Sequence, residues 1–377
     1  MKTKLYCIAT AIFQLFPIQK RKIFFLSYYG SQYGCNPKYL SMYMVEHCKD
    51  WDIVWGFTEP DRHHIDGIRK VRYLSLRYFY EQCTSQVFVT NYRMNSYYRK
   101  RKGQLYLQTW HSSLRLKMIE GDAESTLPAH YVTMAKRDSL QTDALLSGSR
   151  YSTEIFKHSF WYTGPIVPTG TPREDIMFAD NPTLRGQILR KLGISEHKYV
   201  ALYAPTFRKD NSLKCYNINF DRFTHVLSAK FGGEWIVLLR LHPHLHDYSQ
   251  QLLQNTDLVT DATKYDDIQE LLFVADVVIS DYSSLIFDFV LTGRPCLLYV
   301  PDLEQYTKSD RNLYFDIEGL PFPVCRDNDE LEKKIMTFDE IYYTKGIKKF
   351  NDSIGSYETG HACENVMKYI ETTLANG

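Results

Sequence analysis

Short runs of apolar, β-branched and aromatic residues alternate with helix-like stretches along most of the chain. Such runs are typical of strands, and their near lack of polar residues favours parallel strands that helices cover on both faces. Strands interleaved with helices predict an α/β fold. The predicted strands are Ile23 to Tyr28, Ile53 to Phe57, Val87 to Thr90, Tyr199 to Ala204, Trp235 to Leu239, Asp276 to Ser280 and Cys296 to Val300.

The length of 377 residues predicts two domains, because one domain holds about 150 residues on average. The pattern of apolar and polar residues changes near Asp180-Asn181-Pro182. A polar helix is predicted to begin there and to lead into the Tyr199 strand. We therefore predict an N-terminal domain over residues 23–180 and a C-terminal domain over residues 195–360. A last helix, residues 361–377, is predicted to cross back to the first domain. Two doubly wound domains would face a central cleft, with ligands beyond the carboxyl ends of the strands.

The first 22 residues hold a mostly apolar stretch, Leu5 to Pro17, between Lys2 and Lys4 on one side and Lys20-Arg21-Lys22 on the other. Thirteen residues are too few to span a bilayer. The pattern fits a helix that lies in the plane of a membrane surface. A first helix docked on the protein itself fits equally well.

Positive charge is concentrated in the first third of the chain. Residues 1–120 contain 19 Lys and Arg against 8 Asp and Glu, whereas the remainder contains 26 against 36. Such asymmetry suits an anionic lipid surface or a phosphate-rich polymer. We predict a peripheral protein at the cytoplasmic face of the membrane. Nucleic acid is not a predicted partner, because the basic residues are dispersed and no nucleic-acid-binding motif accompanies them.

The remaining composition excludes several classes of protein. The eight cysteines lie far apart, with no C-x-x-C pair, which favours reduced thiols over a zinc site or a disulfide framework. The chain has no Walker A motif, no G-x-G-x-x-G and no G-x-S-x-G, so the kinase, dehydrogenase and hydrolase classes lose support. We predict no metal and no cofactor.

The segment after the Asp276 strand offers a candidate diphosphate site. Asp281, Ser283 and Ser284 are typical residues for a helix start, and Gly293 ends the predicted helix about nine residues later. A helix start at the carboxyl end of a strand presents free N–H groups and a partial positive charge. A plain capped helix is the alternative.

Two further strand ends carry cations and hydroxyls. Arg240 and His242 follow the Trp235 strand, and Thr206 and Arg208 follow the Tyr199 strand. Arginine and histidine at such places can bind phosphate oxygens. We predict that the three strand ends meet in one pocket, although each segment alone is also compatible with a surface loop.

His111 is the candidate general base in the first half of the chain. It follows the apolar run Leu105 to Leu107 and precedes small hydroxyl residues and two cations. A histidine with an ordinary pKa near 6.5 can accept a proton at neutral pH. The alternative is a histidine that packs beside Trp110 for structural reasons.

Taken together, these segments resemble the CDP-glycerol glycerophosphotransferase family of teichoic-acid and capsule polymerases and primases. The resemblance extends from about Gln108 to Asp329. Its ordered motifs are Gln-Thr-Trp-His111, Gly170-Thr-Pro-Arg173-Glu-Asp175, Tyr203-Ala-Pro-Thr206-Phe-Arg208, Arg240-Leu-His242-Pro243, Ser280-Asp281-Tyr-Ser-Ser284 with Phe287-Asp288, and Arg311-Asn-Leu-Tyr-Phe-Asp316.

The resemblance implies a GT-B-like pair of Rossmann-type domains and a transferase that uses CDP-glycerol or a related CDP-polyol. The acceptor would be a lipid-linked or capsular glycan, and the leaving group would be CMP. The implied catalytic residues are His111 and His242. The predicted donor-binding residues are Thr206, Arg208, Arg240, Asp281, Ser283, Ser284, Asp288 and Arg311.

The chain departs from the family pattern at two places. Ser112-Ser113 stands where relatives usually have Gly-Thr, and Asn312 stands where they commonly have glycine. Two other functions remain open at this point: a GT-B glycosyltransferase that uses a nucleotide sugar, and a non-catalytic nucleotide-binding partner of an assembly complex. Association into a homo-oligomer is also open.

Overall fold

The chain forms two compact units. The structure, a computed structural model, describes residues 2–208, 215–241, 245, 257–309 and 312–376. The first unit contains Met1–Ser113, Ile119–Asp175 and Ile354–Gly377, and the second contains Leu114–Met118 and Ile176–Ser353. The main division thus falls beside Asp175, and the end of the chain belongs to the first unit.

The first unit is built on a seven-stranded parallel sheet of order β3-β2-β1-β4-β5-β6-β7. The central strands are buried along most of their length, as expected for a sheet covered on both faces. The strands are β1 (Gln19–Leu26), β2 (Asp52–Phe57), β3 (Arg69–Arg72), β4 (Ser85–Thr90), β5 (Leu105–Gln108), β6 (Ala144–Leu146) and β7 (Ile166–Val167).

Five α-helices of the first unit precede Asp175. Serine side chains accept hydrogen bonds at the starts of two of them: Ser75 caps α3 and Ser149 caps α5. The helices are α1 (Lys2–Phe13), α2 (Cys35–His47), α3 (Leu76–Thr84), α4 (Ala129–Ser139) and α5 (Arg150–Ser159).

The second unit is built on a six-stranded parallel sheet of order β10-β9-β8-β11-β12-β13. Its strands are β8 (Tyr199–Tyr203), β9 (Trp235–Leu239), β10 (Val259–Asp261), β11 (Val277–Ser280), β12 (Cys296–Tyr299) and β13 (Val324–Cys325). Its described helices are α6 (Pro182–Lys191), α7 (Phe220–Phe231), α8 (Ile268–Val274), α9 (Leu285–Phe289), α10 (Leu303–Ser309), α11 (Asn328–Met336) and α12 (Glu340–Ile354).

All seven strands predicted from the sequence are present, within a residue or two at most ends and within four at the start of β1. The predicted α/β class with two parallel sheets is confirmed. A last helix, α13 (Ala362–Asn376), packs against α2 of the first unit. The backbone N–H groups of Ala362 and Cys363 at its start both donate to the Asp175 carboxylate, at 2.8 Å.

The N-terminal segment forms a docked helix that also exposes an apolar face. Thr10 on the inner side of α1 is buried, and its Oγ1 donates to the carbonyl of Tyr97 at 3.0 Å. On the outer side Leu5, Ile8 and Ile12 are 57, 55 and 51% exposed. The docked-helix interpretation therefore holds, and an apolar surface is left over. None of the helices in the described part of the chain is long and apolar enough to cross a membrane.

The basic cluster Lys20-Arg21-Lys22 that follows this helix does not all face outward. Lys22 on β1 is buried, where it pairs with the buried carboxylate of Glu81. Arg21 pairs with Asp50. A buried ammonium needs such a partner because an unpaired charge in the interior is costly.

Candidate active site

The segment that carries His111, residues 109–113, follows β5 in the first unit and is called the base loop below. It leaves the sheet through Trp110, whose backbone is left-handed at a φ of 51°. The ring of Trp110 is 7% exposed and packs edge-on against Phe160 with centroids 5.0 Å apart. Tryptophan rarely adopts positive φ, so the surrounding contacts must stabilise this conformation.

His111 itself is only partly buried. Its ring lies 4.5 Å from that of Trp110 and 6.2 Å from that of Tyr92, measured between centroids. The structure thus places His111 beside Trp110, as the structural alternative requires, and at the carboxyl end of a parallel strand, as the catalytic hypothesis requires. A partly exposed imidazole there can reach a proton of a bound molecule.

In the second unit, Thr206, Arg208 and Asp281 come together at the ends of β8 and β11. The Asp281 carboxylate is 1% exposed and accepts hydrogen bonds from the backbone N–H and Oγ1 of Thr206, each at 2.9 Å. It also pairs with Arg208, which is 6% exposed, at 2.9 Å. The ends of β8 and β11 thus lie together, and these side chains bind one another.

A fourth residue, Asp302, completes this cluster and was not predicted. Both of its carboxylate oxygens accept from Arg208, at 2.6 and 3.1 Å, and one accepts from the hydroxyl of Tyr282 at 3.0 Å. Asp302 follows β12. Its position just beyond the end of a predicted strand is the sequence feature that could have identified it as a candidate site residue. We call Thr206, Arg208, Asp281 and Asp302 the arginine hub.

Within the arginine hub, the guanidinium of Arg208 and the carboxylate of Asp281 each offset the effect of burial on the pKa of the other. Burial raises the pKa of Asp281 above its usual value, and the nearby Arg208 guanidinium opposes this shift. Although burial alone would lower the pKa of Arg208, the carboxylates of Asp281 and Asp302 raise it. A guanidinium with five contacts to carboxylate, hydroxyl and carbonyl oxygens is well suited to fix a loop.

Ser283 and Ser284 stand at the start of α9, directly after the arginine hub. Ser284 occupies the cap position, yet its side chain makes no capping hydrogen bond, contrary to the expected cap. Both serines are partly exposed. The helical segment runs on as a short 3-10 turn and ends at Gly293, whose φ is 69°, which agrees with the predicted end.

Arg240 and Asp288 have partners within the fold. Arg240 follows β9, and its Nη1 donates to the carbonyls of Ala262 and Thr263, both at 2.7 Å, and to that of Tyr265. Asp288 is buried and accepts a hydrogen bond from Gln269 of α8 at 2.7 Å. Both side chains therefore hold neighbouring segments in place. Asp288 is too buried to meet a ligand without rearrangement.

Two predicted residues, His242 and Arg311, lie outside the described residues. Among the residues that are described, no group of three or more His, Cys, Asp or Glu side chains is placed to hold a metal ion.

Comparison with known proteins identifies the family. The chain matches the family model of CDP-glycerol:poly(glycerophosphate) glycerophosphotransferases over residues 8–372. It is 30% identical to a teichoic acid poly(glycerol phosphate) polymerase of Bacillus spizizenii, with 97% of this chain and 96% of that protein covered. It is 31% identical to the protein of the same description from Bacillus subtilis, with 98% of this chain and 51% of that protein covered.

Solved structures agree with this result. The structure of the wall teichoic acid polymerase TagF is 28% identical, with a TM-score of 0.85 and with 98% of this chain and 94% of that chain covered. The sheet architecture, the family match and the sequence motifs therefore lead to one conclusion. The chain is an enzyme of the CDP-glycerol:poly(glycerophosphate) glycerophosphotransferase family, with a GT-B-like fold.

Proposed function

We propose that this chain transfers glycerol phosphate from CDP-glycerol to a hydroxyl of a teichoic-acid-like or capsular glycan, with release of CMP. The observation that carries the proposal is family membership across residues 8–372, with His111 at the carboxyl end of β5. The relatives are described as poly(glycerol phosphate) polymerases, and one TagF variant was solved after a soak with CDPG.

In the proposed reaction His111 acts as the general base. Its imidazole accepts the proton of an acceptor hydroxyl, and the oxygen attacks the phosphorus that carries the glycerol. A new P–O bond forms while the bond from this phosphorus to the bridging oxygen breaks, so CMP leaves with the electron pair. The product is a phosphodiester. General base catalysis of this kind is worth about 10²–10⁴-fold in rate.

The second unit is proposed to bind the donor. The arginine hub would fix the turn that carries Ser283 and Ser284, so that backbone N–H groups at the start of α9 meet the diphosphate. Arg240, His242 and Arg311 would neutralise charge on the transferring phosphoryl group. In this proposal Arg208 and Asp281 act as the scaffold of the donor site, because their polar atoms already bind one another.

Nucleotide release tests the proposed donor. Purified protein is incubated with a membrane acceptor fraction and CDP-glycerol, CDP-ribitol or UDP-glucose in separate reactions, and the released nucleotide is identified. We expect CMP from CDP-glycerol. CMP release from CDP-ribitol alone would show that the donor polyol is ribitol. UDP release from UDP-glucose alone would show that the protein is a glycosyltransferase and would refute the proposed function.

We also propose that the outer face of α1 rests on an anionic membrane surface. Leu5, Ile8 and Ile12 lie on this face and are more than half exposed, and Lys2 and Lys4 precede them. Each apolar side chain can contribute about 1 kcal/mol on entering the interface, and each nearby lysine about 1 kcal/mol by attraction to anionic lipid. This would place the enzyme as a peripheral protein at the cytoplasmic face.

Vesicle sedimentation tests the membrane proposal. The variant Ile8→Gln/Ile12→Gln should bind phosphatidylglycerol vesicles more weakly than the wild type and should keep turnover on a soluble acceptor. Ile341→Gln is a matched control, because Ile341 is 70% exposed on α12 of the second unit. Equal vesicle binding by wild type and the α1 variant would exclude this face as the membrane contact.

A further inference from the structure

Asn36 in α2 joins the base loop to two other segments of the first unit. It lies in the first turn of the helix and its side chain is fully buried. Its Nδ2 donates to the carbonyl of Thr109 at 3.2 Å and to the carbonyl of Trp110 at 3.0 Å. Its Oδ1 accepts from the backbone N–H of Arg173 at 3.0 Å. All three partners are backbone groups.

The chemistry of these partners determines the residue type. One side chain must supply two N–H donors and one acceptor within a short reach, and asparagine is the shortest residue that does so. The N–H of Arg173 requires an oxygen on one side of the amide, so the NH₂ group must face the two carbonyls. Aspartate would keep the acceptor and lose both donors, and serine would offer a single donor.

These bonds act at the left-handed residue of the base loop. Trp110 donates its N–H to the side-chain oxygen of Gln108 at 3.0 Å, and its carbonyl accepts from Asn36. Both peptide groups that flank Trp110 are thus held by side-chain amides. Positive φ is unfavourable for tryptophan. Loss of the hydrogen bonds from one of these side-chain amides would therefore let the backbone of Trp110 relax toward negative φ. Such relaxation turns the peptide group that leads into His111 and redirects its side chain.

We propose that Asn36 is a positioning residue of the transfer reaction, which holds the backbone of Thr109 and Trp110 so that His111 points at the acceptor hydroxyl. This inference rests on the proposed role of His111 as the base. It adds a residue that precedes the motifs by which the sequence resembles the family, which begin at Gln108. A displacement of about 1 Å at a catalytic group can lower a rate on the order of 10²-fold.

The test compares Asn36→Ala and Asn36→Asp with the wild type. We expect kcat to fall by about 10- to 100-fold in both variants, while the dissociation constant of CDP-glycerol stays within about two-fold. Asn36→Asp serves as the second variant because it keeps an acceptor for the N–H of Arg173, removes both donors to the base loop and places a carboxylate oxygen against the two carbonyls. Ser41→Ala is the matched control. Ser41 is also fully buried in α2, and its Oγ donates to the carbonyl of Lys38 at 2.7 Å.

Double variants with His111→Ala separate positioning from general destabilisation. If Asn36 acts through His111, then Asn36→Asp lowers the turnover of the wild type and leaves the residual turnover of His111→Ala unchanged. A folded Asn36 variant with kcat close to the wild type, or an equal further loss in the His111→Ala background, overturns the inference. Normal turnover of His111→Ala would instead refute the base assignment, and absence of CMP release by the wild type would refute the proposed function.

Discussion

Removing the guanidinium of Arg208 should destabilise the second unit far more than a typical arginine substitution. Arg208→Met keeps most of the side-chain volume and deletes all five polar contacts. Asp302 is 21% exposed and can be solvated, but Asp281 at 1% exposure cannot. Breaking a buried pair on one side costs about 3–5 kcal/mol, because the remaining charge stays buried without its partner. We expect a loss in this range.

The reasoning predicts partial rescue by a second change. Asp281→Asn in the Arg208→Met background removes the unpaired charge and keeps a side-chain oxygen for the Thr206 N–H, so the double variant should be more stable than Arg208→Met alone. Urea unfolding followed by circular dichroism measures the free energies, with a check that each transition is two-state. A loss below about 1 kcal/mol, together with weaker CDP-glycerol binding, would mean that Arg208 contacts the donor directly.

Three further substitutions give measurable changes in stability. Burial raises the pKa of Glu358 to about 7, so the wild type should lose stability as the pH rises from about 4.5 through 7, and Glu358→Gln should flatten this dependence in thermal unfolding. Although burial of Glu81 opposes ionisation, hydrogen bonds from Arg69 and Lys22 lower its pKa to about 2. The wild type should therefore lose stability as the pH falls from about 4.5 toward 2, and Glu81→Gln should be less stable at neutral pH and less sensitive to acid. Gly293→Ala should cost about 1 kcal/mol in urea unfolding, because the φ of 69° is unfavourable for alanine although the space for its methyl group is free. An unchanged pH profile in either glutamate variant, or an unchanged midpoint for Gly293→Ala, would contradict the corresponding argument.

The sequence predicted the four inner strands of the second sheet and β1, β2 and β4 of the first, but neither the edge strands nor the short inner strands β5 and β6. Strands such as β8 and β11 are continuous apolar runs because helices cover both faces of the sheet, and this pattern is visible without the structure. β3 consists of Arg69-Lys-Val-Arg72, of which only Val71 is buried, so its composition gives little indication of a strand. β7 has only two residues, both partly exposed. Edge strands of this kind are defined by pairing with a neighbour.

The sequence predicted which strand ends carry the residues of the candidate site. It did not predict which side chains these residues bind. Short motifs placed Thr206, Arg208 and Asp281 near one another because parallel strands end at one edge. That Arg208 would be occupied by Asp281 and Asp302 depends on contacts across 73 to 94 residues of sequence, which local patterns do not encode. Asn36 gave no signal either, since a buried asparagine that binds three backbone groups resembles any other polar residue in the sequence.

The central claim is that His111 is the base of a glycerol phosphate transfer. The direct test measures CMP release from CDP-glycerol by His111→Ala, together with CDP-glycerol binding by calorimetry. His158→Ala is the matched control, because its side chain is 60% exposed on α5 of the same unit. We predict that His111→Ala binds CDP-glycerol like the wild type and releases CMP at least about 10²-fold more slowly, whereas His158→Ala releases it normally. CMP release by a folded His111→Ala variant at a rate near that of the wild type would contradict the account.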